Sequence, residues 1–122
     1  MHLELETVAI GYRITGYTLS SVTVNTTTYT HSLIVMPHYL NAWTVAHVTM
    51  LTQAHVMELL ALQPQVVLLG TGEHYYFPEM ALWSPLLSQR IGVEVMTTPA
   101  ACRTYNILMA EGRAVAAALI VP

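Results

Sequence analysis

Lysine and aspartate are both absent from the 122 residues. Four arginines against seven glutamates leave a formal net charge of −3, and only 9% of the chain is charged. A nucleic-acid partner requires a basic face to displace counterions, and an anionic bilayer surface attracts polybasic segments, so the composition argues against both. A Walker-type phosphate loop is excluded because it needs a lysine. Few surface charges also mean little like-charge repulsion between copies, so a homo-oligomer is expected. Cysteine occurs once, at Cys102, which excludes an internal disulfide and fits a reducing compartment. The opening Met1-His2-Leu3-Glu4-Leu5-Glu6 has neither a positive region nor an apolar core, which argues against a signal peptide. The apolar run Ala114 to Val121 is too short for a membrane-spanning helix, which takes about 20 residues. A cytoplasmic protein without membrane insertion is expected.

What the chain does hold is apolar residues, 54% of the total, within a length that suits one domain over residues 1–122. The first third is rich in β-formers, with seven threonines from Thr15 to Thr30. Tyr12 and Ile14 alternate with polar neighbours, as do Val22 and Val24, the period of half-buried strands. Asn25-Thr26-Thr27 reads as a hairpin turn, because asparagine tolerates the left-handed conformation. Tyr29 to Met36 reads as one longer strand stopped by Pro37, while Asn41 to Val48 fits either a short strand or an extended loop.

From Thr52 the period changes. Thr52 can cap a helix from Gln53 to about Leu62, with Val56, Met57, Leu59 and Leu60 on its buried stripe and Pro64 beyond its end. Val66 to Leu69 is uniformly apolar, as in a central strand covered on both faces. A second helix is expected between Pro78 and Arg90, with Ser84 capping a turn that Pro85 opens. Gly92 to Met96 is the next strand. Thr98 is expected to cap a third helix with Pro99 at its first position and Gly112 closing it. Ala114 to Val121 is a final strand. Alternating helices and strands imply an α/β fold, with mainly parallel strands after residue 53 and an antiparallel β portion before it.

Two segments could carry chemistry. Gly70-Thr71-Gly72 follows one predicted strand, and Thr97-Thr98-Pro99-Ala100-Ala101-Cys102-Arg103 follows the next. If the strands are parallel, both lie at the carboxyl edge of the sheet, where open α/β sheets bind ligands. Gly70, Thr71, Gly72, Thr98 and Arg103 could then hold a small anion, using free amides at a helix start. The same glycines could equally serve only to turn the chain tightly. The third glycine of a dinucleotide loop is missing, since position 75 is tyrosine. Cys102, in the first turn of the third helix, could act as a nucleophile with His74 approaching, or could simply pack the helix onto the sheet.

The remaining polar residues form no recognisable constellation. His2, His31, His38, His47, His55 and His74 show no zinc-ligand spacing, so no metal and no cofactor is expected, and surface or capping roles are favoured. Glu94, inside an apolar strand, would need Arg103 or Arg113 as a partner if buried. Tyr75-Tyr76-Phe77-Pro78 is an aromatic loop that could line a pocket, contact another protein or pack locally. Trp43 and Trp83 read as packing residues.

Leu68-Leu69-Gly70-Thr71-Gly72 with Phe77-Pro78, and Gly92-Val93-Glu94-Val95-Met96 followed by Ala100-Ala101-Cys102-Arg103-Thr104-Tyr105-Asn106, resemble the two hallmarks of a small uncharacterised domain family. Glu111-Gly112-Arg113, the closing Ala-rich strand, Ser32 to Val35 and Trp43 fit the same pattern. That family includes bacterial and archaeal proteins of unknown function and a mitochondrial assembly factor for respiratory complex I, the NADH:ubiquinone oxidoreductase. The resemblance implies a three-layer β/α domain and brings no catalytic residues with it. Thr97 stands where the family pattern often has an acidic residue, so no carboxylate role carries over. The expectation is a non-catalytic protein-interaction, assembly or accessory domain, the alternative a small-anion-binding protein or enzyme at the Gly70–Gly72 loop.

Overall fold

The structure is a computed structural model that describes residues 11–122; the readings made on Met1 to Glu6 lie outside the described residues. Strands β1 (Ile14–Thr18), β2 (Ser21–Val24) and β3 (Thr27–Tyr29) form a three-stranded antiparallel sheet. Its second hairpin turns at Asn25, whose φ of 53° is the left-handed conformation expected there. Strands β4 (Leu33–Met36), β5 (Tyr39–Ala42), β6 (Val66–Gly70), β7 (Gly92–Met96) and β8 (Val115–Leu119) build the main sheet in the order β5-β4-β8-β6-β7. β8, β6 and β7 are parallel, and β4 and β5 are antiparallel additions. Three α-helices, α1 (Gln53–Ala61), α2 (Ser84–Ser88) and α3 (Thr98–Ala110), complete the α/β architecture.

The middle layer explains the apolar runs. Along β8, Val115, Ala117, Leu119 and Val121 pack on one side, against β1, β2 and α3. Ala116, Ala118 and Ile120 pack on the other, among Val56, Leu59, Trp83 and Leu86. A strand with both faces covered has no polar side to show, so its sequence is continuous rather than alternating. α3 turns Ala101, Cys102 and Tyr105 to the sheet, the three- and four-residue spacing of a buried stripe. Its side chains also hold the small sheet in place. Asn106 donates to the Ile14 carbonyl at 2.7 Å and accepts the Ile14 N–H at 3.0 Å, and the Tyr105 hydroxyl donates to the Tyr12 carbonyl at 2.7 Å.

Five local expectations need correction. Met57, expected on the buried stripe of α1, is exposed, because the face of that helix turned to the core is centred on Val56 and Leu59. The expected strand from Tyr29 to Met36 is two strands in two sheets, separated at residues 30–32, because the chain leaves β2 there and crosses to β8. Side-chain period carries no record of which sheet a residue joins. Of the ambiguous segment Asn41 to Val48 only Asn41 and Ala42 are strand, the end of β5, which starts earlier at Tyr39 and pairs with β4 through a tight turn at Pro37-His38. Ser84 is already helical and Trp83 precedes it as the cap, because a 3-10 turn (Met80–Trp83) runs directly into α2. Glu94 is exposed on the edge strand β7 and pairs with neither Arg103 nor Arg113; the one contact of salt-bridge length among the described residues is between the His74 Nε2 and the Glu73 carboxylate, at 3.7 Å. Water on that side of an edge strand removes the need for a partner.

Two histidines take capping positions. The His55 Nδ1 accepts the N–H of Thr52, the residue that caps α1, at 3.1 Å. The His47 Nδ1 accepts the Thr49 N–H at 3.2 Å at the start of a 3-10 turn (Val48–Met50).

Candidate functional site

The two segments singled out at the carboxyl edge do face each other. The Thr98 N–H donates to the Gly72 carbonyl at 2.9 Å, and the Gly72 N–H donates to the Thr98 Oγ1 at 2.8 Å. The same hydroxyl donates onward to the Ile120 carbonyl at 2.7 Å. Thr98 therefore bonds to the β6 loop and to the end of β8 at once. It does not act as the helix cap: Thr97 holds that position, Thr98 is the first helical residue and Pro99 the second. The reason lies in orientation, since the Thr98 side chain points down into the sheet edge rather than back over the helix end.

Gly70 has no room for a side chain. A Cβ there would lie 2.9 Å from both Cα and Oγ1 of Thr98. Gly72 has a φ of +99°, a backbone conformation that L side chains rarely adopt. The Thr71 N–H donates to the Met96 carbonyl at 2.9 Å, and its buried hydroxyl donates to the His74 carbonyl at 2.6 Å. Gly70, Thr71, Gly72 and Thr98 are thus brought together as expected, and the amides of Thr71, Gly72 and Thr98 already have partners within the chain. An anion at this edge would have to compete with those bonds. The cavity remaining beside Gly72, Thr98 and Ile120 is only about 10 Å³, the size of one water at most.

Arg103 is not part of this group. Five residues along α3 from Thr98, it points away from the sheet, and its Nη1 donates to the Tyr17 hydroxyl on β1 at 2.7 Å. Cys102 is buried among the residues that join α3 to the sheet. Burial pushes its thiol pKa up to about 12, with the Arg103 charge pulling weakly the other way. The thiolate, the reactive form, is therefore scarce at neutral pH. Iodoacetamide at pH 7.5 should leave Cys102 unmodified in the folded protein and alkylate it fully in guanidinium, as read by mass spectrometry; rapid labelling of the native protein would contradict this. Tyr105 is shifted upward by burial as well. Both groups hold their protons in the fold at pH values where the unfolded chain releases them. Stability should therefore be unaffected by them below about pH 9 and fall as the pH rises from there.

Beyond Gly72 the chain projects an aromatic loop. The Thr71 hydroxyl at its base also accepts the Tyr76 N–H at 3.4 Å, and buried Pro78 closes it. Tyr75 and Phe77 meet edge to face at 6.4 Å, yet they remain 53% and 68% exposed. Tyr76 leans on the His47 ring at 4.8 Å, which links the loop to the Val48–Met50 turn. Met50 and Met80 are exposed as well. Trp43 and Trp83 are core residues. The role of His47 in supporting this loop was not legible in the sequence, because 29 residues separate the two rings. Among the described residues no cluster of three His, Cys or Glu side chains could hold a metal ion, and no helix is long and apolar enough to cross a membrane.

A solved protein from Xanthomonas campestris is 42% identical, covers 90% of this chain and 84% of its own, and superposes with a TM-score of 0.82. A Bordetella pertussis protein described as an Mth938-like domain is 29% identical, covers 94% of this chain and 88% of its own, and also gives 0.82. The human NADH dehydrogenase [ubiquinone] 1 alpha subcomplex assembly factor 3 is 33% identical over 90 residues, 72% of this chain and 49% of that protein. The 13 kDa major membrane protein of Francisella tularensis is 32% identical over 68 residues, 56% of this chain and 55% of that one. The chain thus spans about half the length of these two curated relatives. The family model matched across residues 14–120 agrees with the likeness in fold: the chain belongs to the family of proteins of unknown function DUF498/DUF598.

Proposed function

We propose that this chain is a non-catalytic interaction domain of accessory or assembly type, docking through the aromatic loop at Tyr75 to Phe77. One observation carries the reading: two large aromatic rings stand in water on a loop whose base is tied down by Thr71 and Pro78. Holding apolar surface in water costs free energy, and rigid exposed aromatics are the side chains that supply most of the energy at protein interfaces. The self-bonded carboxyl edge supports the same reading, as does the likeness to a complex I assembly factor. A cytoplasmic homo-oligomer is the setting this reading favours, the low surface charge supporting self-association.

The test is affinity capture from native lysate with the full chain and with a Tyr75→Ser/Phe77→Ser double variant. The exposed positions should tolerate serine with a stability change within about 0.5 kcal/mol. A partner recovered by the parent should fall at least about tenfold with the variant, since losing a central aromatic costs more than 1.4 kcal/mol. Recovery of the chain alone under several conditions counts against the proposal, and light scattering on the same samples reads self-association. The alternative, a small anion held by Gly70, Thr71, Gly72 and Thr98, draws support from the meeting of the two loops. It requires a thermal shift with phosphate or nucleotides.

A further inference from the structure

A second concave surface lies at the opposite end of the parallel strands. At the amino edge of the main sheet, the β4–β5 turn, the end of α1 and the α3–β8 connection enclose a groove of about 580 Å³. Met36, Pro37, Tyr39, Leu62 and Met109 line it together with His38 and Arg113. The size falls within the roughly 300–1,000 Å³ of small-molecule sites, which are mostly apolar with a few placed polar groups. The two methionines suit a flexible guest, because their unbranched thioethers repack around irregular shapes. Arg113 is exposed and has no carboxylate partner among the described residues.

We propose that this groove binds a free amphipathic carboxylate, with its hydrocarbon body against Met36, Leu62 and Met109 and its charged end at Arg113. A neutral apolar guest would leave the guanidinium unused. A polyphosphate would need more basic groups than Arg113 and His38 supply and would gain nothing from the thioethers and Leu62. The Arg113 guanidinium beside apolar walls complements a single carboxylate on an apolar body.

The test is calorimetric titration of the full chain with octanoate and, as the uncharged control, octanol. Octanoate should bind and perturb the backbone NMR signals of Leu62, Met109 and Gly112. Arg113→Gln should weaken octanoate about tenfold while leaving octanol unchanged. Met109→Trp, which fills the channel, should abolish binding of both at an unchanged melting temperature. Absence of octanoate binding would overturn the proposal, as would equal losses for acid and alcohol in Arg113→Gln. A Cβ at Gly11 would meet the Pro37 carbonyl oxygen at 2.5 Å, so the chain enters beside the groove. Binding seen only in a variant that begins at Gly11 would assign the groove to the chain's own first ten residues and refute a free ligand. Binding lost as the protein concentration rises would assign it to a second copy, with the same consequence.

Discussion

Replacing Thr98 with valine is expected to lower stability by several kcal/mol, although the two side chains have nearly the same shape. The hydroxyl accepts from the Gly72 N–H and donates to the Ile120 carbonyl, both in a buried setting. Valine leaves that donor and that acceptor without partners and out of reach of water. Each such group costs about 1–3 kcal/mol, so the loss is one of desolvation rather than of packing. For a domain of this size a kcal/mol moves the melting temperature by roughly 3–5 °C, so the variant should melt on the order of 10 °C below the parent. Thr98→Ser keeps both hydrogen bonds and should recover most of the difference. Equal melting of Thr98→Val and the parent would show that the bonds joining β6, β8 and α3 contribute little.

Gly70→Ala should be the second most damaging of the changes considered, for the opposite reason: it adds an atom where none fits. The new Cβ would stand 2.9 Å from the Thr98 Cα, a backbone atom that no rotamer change can move, and 3.3 Å from the Ala101 Cβ. Relief requires α3 to lift from the end of β6, which stretches the two Thr98 bonds as well. Overpacking of this kind costs about 1–3 kcal/mol, and the strained hydrogen bonds add to it. The urea midpoint should fall with the slope unchanged, since the unfolded state is hardly altered. Because the two sites share one contact, Gly70→Ala combined with Thr98→Val should be less harmful than the separate losses imply. Strict additivity would mean that the glycine and the threonine act independently.

Both variants probe one joint at the carboxyl edge. Gly70, Gly72 and Thr98 bond and fit to one another, and Tyr105 and Asn106 fasten the small sheet. The chemistry of this edge is that of a joint between three elements. The exposed aromatic rings beyond it belong to a different kind of surface, one that gains free energy only when something covers it.

Local pattern by itself determined much of this protein. The apolar run at Val66 to Leu69 specified a strand covered on both faces, Asn25 a hairpin, Pro64 the end of α1, and the helix–strand alternation the parallel pairing of β6, β7 and β8 with two loops at one edge. These features are encoded within a few residues, because helix and strand periods and turn conformations are properties of neighbours in sequence. Tertiary structure alone decided that β8 sits between β4 and β6, that residues 29–36 divide between two sheets, and that Arg103 turns to Tyr17. It also decided that the Thr98 hydroxyl closes the carboxyl edge while a groove stays open at the other end. Each of these depends on contacts between residues far apart in the chain, where a rotation of one helix or the choice of a neighbouring strand leaves the local pattern of apolar and polar residues unchanged.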